Sequence, residues 1–311
     1  MFPYLNLGPM HLGMFGLLLW LGAVAATVVL HQNFVRNRVD ADALNVVALV
    51  VVLGVIGAKT WHEAQDLREL HFALQAIGRP GWHHPFQVAL GFLEWFRDGF
   101  AWFGGMTAGV AALMVLGHQA RFRGPGWKSM EDPGPVPGAR VGAVRMLDLA
   151  APAAALGYGI GRIGCLLAGD GDYGINTTLP WGVHMMNGPD QYHRALVPPH
   201  PPTALVQPTP IYELLFSLAV FWLLWQLGKK SGSGSGRPVG WLTGLYLVLS
   251  GVGRFLVEFV RINPPLYFHK TLTNAQVAAA ASVIVGLVAI ALAQATYVEW
   301  TPKLAAAERR T

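Results

Sequence analysis

The chain alternates between long apolar runs and shorter polar segments. Seven runs of about 20 residues are dominated by apolar side chains, which is the length that crosses a bilayer as an α-helix. These runs are residues 12–31, 42–58, 99–117, 147–168, 210–227, 239–258 and 275–296. The pattern predicts an all-α, polytopic integral membrane protein with seven transmembrane helices, forming a single membrane domain over residues 1–311.

Composition agrees with this class of protein. The chain is 53% hydrophobic and only 13% charged, whereas roughly a quarter of the residues in a soluble domain are charged. Cys165 is the only cysteine, which excludes an internal disulfide and a metal site built from cysteines. No cluster of basic and aromatic residues resembles a nucleic-acid platform. We therefore expect no nucleic-acid partner, no metal and no cofactor.

The distribution of basic residues predicts the orientation in the membrane, because Lys and Arg are retained on the cytoplasmic side. With the N-terminus outside, the cytoplasmic segments carry thirteen of the 22 basic residues. They are Arg36, Arg38, Arg121, Arg123, Lys128, Arg140, Arg145, Lys229, Lys230, Arg237, Lys303, Arg309 and Arg310. The outer segments carry seven, and Arg162 and Arg254 fall inside spans. This bias predicts an outer N-terminus and a cytoplasmic C-terminus.

Two of the polar segments are long. Residues 59–98 and 169–209 are predicted as outer-face loops, and the first has helical spacing of its polar residues. Loops of this length usually carry function. Residues 297–311 are predicted as a cytoplasmic tail.

Several charged or glycine positions fall at one depth in the predicted spans. Arg162 and Arg254 each lie about fifteen residues into a span that runs outward, and Glu213 lies one turn into a span that enters from outside. The pair Gly104-Gly105 lies at the outer start of the third span. Arginine at this depth is costly and faces a protein interior, a partner or a cavity. Two arginines beside glycines favour a bound lipid phosphate, which the guanidinium fork suits.

Simpler interpretations of the same residues remain open. Arg254, Glu258 and Arg261 share one stripe of a helix, so Arg254 and Glu258 could form a structural ion pair while Arg261 snorkels to the interface. Gly157, Gly161 and the other small residues of this span could serve helix packing alone. The run G-D-G-D-Y-G that follows is a tight loop, and it is expected to bring Asp170 and Asp172 beside Arg162.

Four segments resemble one family when they are taken in order. They are F-A-W-F-G-G-M, G-R-I-G-C-L-L-A-G-D-G-D-Y-G, Q-P-T-P-I-Y-E-L-L and G-V-G-R-F-L-V-E-F-V-R. This ordered set resembles the bacterial prolipoprotein diacylglyceryl transferases, over nearly the whole chain. That family transfers a diacylglyceryl group from phosphatidylglycerol to the thiol of a lipobox cysteine in a secreted prolipoprotein, forming a thioether and releasing glycerol phosphate. The resemblance implies membrane lipids and prolipoproteins as partners.

The resemblance also implies roles for individual residues. The residues implied as catalytic are Arg162, Arg254, Asp170 and Glu258. Those implied as substrate-binding are Gly104, Gly105, Asp148, Gly161, Gly164, Cys165, Tyr212, Glu213 and Arg261. The implied location is the bacterial inner membrane, with the active site near the outer, periplasmic leaflet.

The chain departs from the family's pattern at several positions. Phe103 stands where many members have a histidine before the paired glycines, and Cys165 stands where the signature often has asparagine. Asp170 replaces a glutamate, Gln207 replaces a histidine, and Phe15 and Ser250 replace tyrosines. The general base is therefore left open among Asp170, Asp172, His83, His84, His184, His193 and His200. A nucleophilic role for Cys165 is disfavoured, because the thiol in this chemistry belongs to the substrate.

Three functions remain to be distinguished. A working diacylglyceryl transferase is favoured by the ordered motifs. A divergent paralogue that acts on another lipid, or that has lost catalysis, is favoured by the missing histidine and tyrosines. An anion transporter would be expected to show paired repeats, which the sequence does not indicate.

Overall fold

The computed structural model describes most of the chain. The described residues are 4–8, 10–79, 83–97, 101–123, 138–168, 173–184, 205–229, 237–267 and 271–308. Their regular structure is mostly helical. The helices are α1 (Met14–Arg36), α2 (Ala43–Gln65), α3 (Leu67–Gly78), α4 (Pro85–Arg97), α5 (Trp102–Gln119), α6 (Ala143–Ala168), α7 (Thr209–Lys229), α8 (Trp241–Val257) and α9 (Asn274–Glu308).

Short strands connect the ends of the helices. Three antiparallel pairs are described: β1 (Tyr4–Leu7) with β2 (Met10–Gly13), β3 (Val39–Asp40) with β4 (Arg121–Phe122), and β5 (Val183–His184) with β6 (Leu205–Val206). The second pair ties the end of α1 to the end of α5, because β3 follows α1 and β4 follows α5. A single 3₁₀ turn, Glu258–Val260, follows α8.

Six helices are long and apolar enough to cross a membrane, namely α1, α2, α6, α7, α8 and α9. They coincide with six of the seven predicted spans, so the prediction of an all-α, multi-pass membrane protein is confirmed. The run at 99–117 forms α5, which is not among the six. It has only 18 residues and ends with the polar His118 and Gln119. A seventh span therefore stays a prediction.

The segment 59–98, predicted as a loop, is mostly helical. The helix α2 continues to Gln65, and α3 and α4 follow and pack against each other. Both helices expose large apolar side chains, including Phe72 and Phe86. The expected loop is thus a pair of amphipathic helices, a difference that arises because helices of 12 and 13 residues contain no long apolar run.

The other two polar segments are described in part. Of the predicted loop 169–209, residues 173–184 and 205–208 carry β5, β6 and the hydrogen bonds around them. The remaining residues of that loop lie outside the described part of the chain. The helix α9 continues through most of the predicted tail and ends at Glu308.

Glycines allow the main helix pairs to pack closely. The helix α1 packs against α6, α2 against α5, α6 against α7, and α8 against α9. A Cβ atom at Gly22 would lie 3.0 Å from the Gly157 carbonyl oxygen of α6. A Cβ atom at Gly104 would collide with the Gly57 carbonyl oxygen and the Trp61 side chain of α2. Small residues at such contacts let two backbones approach in a membrane.

Asp148 fixes the start of α8 against α6. Its side chain is buried, and its carboxylate accepts hydrogen bonds from the Gly240 backbone N–H at 2.7 Å, the Thr243 backbone N–H at 2.8 Å and the Thr243 hydroxyl at 2.6 Å. The first N–H groups of a helix have no partner within the helix, so a buried carboxylate that accepts from them stabilises the helix start. Because α8 also carries Arg254 at its other end, Asp148 sets where that arginine lies.

The cap predicts a large loss of stability in Asp148→Ala. Removing three hydrogen bonds to a buried carboxylate should cost about 2–4 kcal/mol. We expect a clearly lower melting temperature of the purified protein in detergent. Asp40→Ala is the matched control, because that carboxylate forms an exposed ion pair with Arg123 and exposed pairs contribute about 0–1 kcal/mol. Equal melting temperatures for the two variants would contradict the capping role.

The close contact of α2 with α5 predicts that Gly104→Ala destabilises the protein. The added methyl group meets the backbone of Gly57, which cannot move aside as a flexible side chain would, so we expect a cost of about 1–3 kcal/mol. Gly16→Ala is the control, because no atom of the described part of the chain lies within 4 Å of a Cβ atom at that position in α1. Thermal unfolding of both variants tests the contact, and an unchanged melting temperature for Gly104→Ala would refute it.

Candidate functional site

The ends of α6, α7 and α8 bring three charged side chains together. Arg162 comes from α6, Glu213 from the first turns of α7 and Arg254 from the end of α8. The pairing of α6 with α7 is fixed by the Ser217 hydroxyl, which donates to the Ala155 carbonyl oxygen at 2.6 Å. These helices carry the two arginines and the glutamate that the sequence analysis assigned to one depth.

Glu213 is the buried centre of this group. Its Oε2 lies 3.3 Å from Arg162 Nε and 3.6 Å from Arg261 Nη1, and its Oε1 lies 3.0 Å from Arg254 Nη1. The Tyr158 hydroxyl donates to Oε1 at 2.8 Å. One carboxylate therefore contacts three guanidinium groups and a phenol.

Glu258 is a second buried carboxylate beside the first. Its Oε2 lies 2.9 Å from Arg254 Nη2 and 3.7 Å from Arg261 Nε. Its Oε1 accepts hydrogen bonds from Asn263 Nδ2 at 2.6 Å and from the Thr273 hydroxyl at 2.9 Å. We call the set Arg162, Glu213, Arg254, Glu258 and Arg261 the arginine cluster. Both of its carboxylates contact more than one arginine.

The cluster carries unequal numbers of positive and negative groups. Three arginines against two carboxylates leave a net formal charge of +1. The side chains of Arg162 and Arg254 are 17% and 24% exposed, whereas those of Arg261 and the two carboxylates are 6% exposed or less. The accessible part of the cluster is therefore cationic, and the negative groups lie behind it.

The backbone after α8 explains why Arg261 is buried. The helix ends at Val257, the chain makes a 3₁₀ turn, and Arg261 is extended with φ −83° and ψ 161°. The expected continuous helical stripe therefore ends before Arg261, and the snorkelling interpretation is wrong. The extended backbone at Arg261 instead forms a β-bridge with Gly174.

Residues from the second polar segment close this side of the cluster. The Ile175 N–H donates to the Val260 carbonyl oxygen at 2.8 Å, and the Gly174 N–H donates to the Gln207 carbonyl oxygen at 2.8 Å. On the neighbouring surface, Trp181 Nε1 donates to the Tyr212 hydroxyl at 2.7 Å. Tyr212, which directly precedes Glu213 in the chain, thus contacts the second polar segment.

The remaining residues predicted on α6 have different surroundings. Cys165 Sγ accepts a hydrogen bond from Arg162 Nη1 at 3.6 Å. No atom of the described residues lies within 4 Å of a Cβ atom at Gly161, the residue before Arg162. Gly164 is in contact with Leu18 and Phe15 of α1, which makes it a helix-packing residue.

Three of the predicted substrate-binding residues make their described contacts on other parts of the helices. Asp148 lies fourteen residues before Arg162 on α6, about 21 Å away along the helix, and it caps α8 instead. Gly104 and Gly105 face Gly57, Gly54 and Ala58 of α2. Their close helix contact accounts for both glycines, because a larger residue would push α5 away from α2.

The residues predicted as candidate bases either have no described contact with the arginine cluster or lie outside the described residues. His83, His84 and His184 are exposed, and no interaction with the arginine cluster is described for them. Asp170, Asp172, His193 and His200 lie outside the described residues. Phe103, at the position of the family's histidine, exposes its ring at the start of α5.

Sequence analysis missed three polar residues of the site. Tyr158 lies one turn before Arg162, and its ring centroid is 4.9 Å from the Arg162 guanidinium carbon. The i, i+4 spacing of Tyr158 and Arg162 is a signal that could have identified the pair. Asn263 and Thr273 come from the irregular segment between α8 and α9, and sequence spacing gives no signal for their convergence on Glu258.

Comparison with known proteins identifies the family to which the chain is similar. A family model described as prolipoprotein diacylglyceryl transferase matches residues 3–292. The chain is 28% identical over 252 residues to the phosphatidylglycerol–prolipoprotein diacylglyceryl transferase of Clostridium tetani (strain Massachusetts / E88), covering 80% of this chain and 81% of that one. A protein of the same name from Leifsonia xyli subsp. xyli (strain CTCB07) is 26% identical over 282 residues, covering 90% and 74%.

A third relative extends the agreement. The phosphatidylglycerol–prolipoprotein diacylglyceryl transferase of Leptospira interrogans (serovar copenhageni, strain Fiocruz L1-130) is 26% identical over 263 residues, covering 81% of this chain and 72% of that one. The family model spans nearly the whole chain, including all three helices that carry the arginine cluster. The chain therefore belongs to the prolipoprotein diacylglyceryl transferase family.

Proposed function

We propose that this protein transfers a diacylglyceryl group from phosphatidylglycerol to the thiol of a lipobox cysteine in a prolipoprotein. The observation that carries the proposal is the pairing of Arg162 and Arg254, from two helices, at one buried carboxylate. Their guanidinium groups are the most exposed charges of a cluster with a net charge of +1. Phosphatidylglycerol has one negative charge, on its phosphodiester, and a guanidinium group suits such a phosphate.

In the proposed reaction the phosphate is the leaving group. The acceptor sulfur forms a bond to the glyceryl carbon, and the bond between that carbon and the phosphate oxygen breaks. The electron pair stays on glycerol phosphate, and the thiol proton goes to a base. Arg162 and Arg254 would stabilise the negative charge that develops on the phosphate, because fixed cations in a site shielded from water act strongly there.

The two glutamates have positioning roles in this proposal. Glu213 holds Arg162 and Arg254 side by side at one carboxylate, and Glu258 orients Arg254 through its Nη2 atom. Glu258, which the resemblance implies as catalytic, has a fully buried carboxylate whose contacts are all internal. We assign it to the support of Arg254 and Arg261. The base stays open among the residues named from the sequence, which are Asp170, Asp172, His83, His84, His184, His193 and His200.

We further propose that the cluster faces the outer leaflet of the bacterial inner membrane. The excess of basic residues in the segments assigned to the cytoplasm supports an outer N-terminus. In that orientation the end of α6 that carries Arg162 is the outer end. A secreted cysteine would reach the site from that side. The proposal includes α5 as a seventh span, since α5 packs along α2 through the glycine contact.

The transferase proposal predicts loss of activity in Arg162→Ala and Arg254→Ala. Purified protein in detergent is mixed with phosphatidylglycerol and a lipobox peptide, and the peptide mass is measured. We expect a diacylglyceryl mass on the cysteine with the unmodified chain, and at least about 100-fold slower formation with either variant. Arg68→Ala, an exposed arginine of α3, serves as the control and should keep full activity.

The same assay distinguishes the alternative. A divergent paralogue that binds the lipid without transferring it would give no product with the unmodified chain. It would still bind phosphatidylglycerol, and the two variants would bind it more weakly. The exposed Phe103 in place of a histidine is the feature that favours this alternative. Equal product from the unmodified chain and both variants would contradict the proposed role of the arginines.

The contacts of Tyr158 predict that Tyr158→Phe lowers activity without abolishing it. The variant keeps the ring beneath Arg162 but loses the hydrogen bond to Glu213. A hydrogen bond to a charged group contributes about 1.5–3 kcal/mol, so we expect kcat/KM to fall about tenfold or more. Tyr246→Phe, on α8 and outside the cluster, should leave kcat/KM unchanged. Activity of Tyr158→Phe equal to that of the unmodified chain would exclude a role for the phenol.

A further inference from the structure

The start of α9 lies against the arginine cluster. Its first residue, Asn274, follows Thr273, which is only 7% exposed. The Thr273 hydroxyl oxygen accepts a hydrogen bond from the Gln276 N–H at 3.2 Å, and Gln276 Oε1 accepts one from the Thr273 N–H at 3.0 Å. This reciprocal pair is a capping box, which gives partners to two N–H groups at the start of a helix. Thr273 is therefore the N-cap of α9.

The hydroxyl of Thr273 has a second partner, in the arginine cluster. A hydroxyl has one proton to donate and two lone pairs that accept. The Gln276 N–H occupies a lone pair, and the proton is directed to Glu258 Oε1, which lies 2.9 Å from Thr273 Oγ1. An ionised carboxylate only accepts hydrogen bonds, so the threonine must be the donor. Thr273 thus joins the start of α9 to Glu258.

The loop between α8 and α9 brings another donor to the same oxygen. Asn263 Nδ2, on the outgoing side of the loop, donates to Glu258 Oε1 at 2.6 Å. The two sides of the loop are joined by the hydrogen bond from the Tyr267 N–H to the Leu272 carbonyl oxygen, at 3.0 Å. Thr273 follows directly on the returning side. The loop therefore places two neutral donors at one oxygen of the carboxylate.

The two oxygens of Glu258 have different kinds of partner. Oε1 accepts the two hydrogen bonds, whereas Oε2 faces Arg254 Nη2 at 2.9 Å and Arg261 Nε at 3.7 Å. Within the described part of the chain Oε2 accepts no hydrogen bond, so its contacts with the arginines are ion pairs. A hydrogen bond requires a defined angle at the donor, whereas Coulomb attraction depends on distance. The orientation of the carboxylate is therefore set at Oε1.

We propose that Thr273 is a positioning residue of the arginine cluster. Its hydroxyl fixes the carboxylate of Glu258 so that Oε2 holds Arg254 in place. Among the described residues no hydrogen bond joins Thr273 to Arg254 directly, so the effect passes through Glu258. The consequence for activity rests on the proposed function, in which Arg254 stabilises the leaving phosphate. The start of the last helix would then control an arginine of α8.

Three variants separate the positioning of Glu258 from the capping of α9. Thr273→Val keeps the shape of the side chain and removes both the cap and the bond to Glu258. Gln276→Met keeps the volume and removes only the acceptor of the Thr273 N–H, so it weakens the cap and keeps the bond to Glu258. Thr273→Ser keeps both. Each full chain is purified in detergent, and its melting temperature, kcat and KM are measured with phosphatidylglycerol and a lipobox peptide.

We expect Thr273→Val to lower kcat about tenfold and to change KM for phosphatidylglycerol less than about twofold, because Arg254 acts on charge that develops as the phosphate leaves. Gln276→Met should lower the melting temperature by a similar amount, about 2–4 °C, and keep kcat within about twofold of the unmodified chain. Thr273→Ser should restore most of the lost rate. Equal kcat values for Thr273→Val and Gln276→Met, or no recovery in Thr273→Ser, would overturn the proposal.

A second comparison does not depend on transfer. Thr273→Val and Arg254→Gln are made singly and together, and their melting temperatures are measured. Changes in one network of contacts do not add, whereas independent changes do. We expect the double variant to differ from the sum of the two shifts by about 1–2 °C or more. The shifts of Gln276→Met and Arg254→Gln should add. Additive shifts for Thr273→Val would overturn the proposal.

The two comparisons distinguish the failure of this proposal from the failure of the proposed function. An unmodified chain that gives no product contradicts the proposed function. The melting temperatures then decide the role of Thr273 alone, because they report on the contact with Glu258 and on its effect on Arg254. An active unmodified chain with equal kcat in Thr273→Val contradicts only the role of Thr273.

Discussion

The buried carboxylate of Glu213 is the interaction on which the candidate site depends. It contacts three guanidinium groups that would otherwise repel one another at close range in an apolar environment. Arg162 comes from α6, whereas Arg254 and Arg261 come from the end of α8 and the turn after it. The carboxylate therefore also fixes the relative positions of α6, α7 and the end of α8. Burial of so many charges is tolerated because each contacts an opposite charge, with Tyr158 and the partners of Glu258 adding hydrogen bonds.

The unequal burial of the charges in the cluster links this architecture to function. Among the five residues of the cluster the arginines outnumber the carboxylates by one, and the carboxylates are the more deeply buried groups. The exposed cationic side chains are those of Arg162 and Arg254, because Arg261 is covered by the β-bridge to Gly174 and by the hydrogen bonds around it. The carboxylates therefore contact the arginines on their buried sides, and the exposed sides of Arg162 and Arg254 are where we propose that the phosphate binds.

Hydropathy predicted the spans well, because a bilayer imposes length and apolarity on any helix that crosses it. Counting residues along the spans also predicted that Arg162, Arg254 and Glu213 share one depth. It could not predict that Glu213 bonds to both arginines, since that depends on how three helices are rotated about their axes. Nor could it predict the 3₁₀ turn that redirects Arg261. The helical spacing of the segment 59–98 was visible in the sequence, but its division into the amphipathic helices α3 and α4 was not, because their apolar positions are periodic and not continuous.

Two buried carboxylates position α8 from its opposite ends. Asp148 of α6 accepts hydrogen bonds from the first N–H groups of α8 and so fixes where the helix starts. Glu213 of α7 contacts Arg254 near the end of the same helix. Because a helix of 17 residues is a stiff rod, a change at the Asp148 cap would move Arg254 relative to Glu213. The cap and the arginine cluster are therefore linked through one helix, although they lie at opposite ends of it.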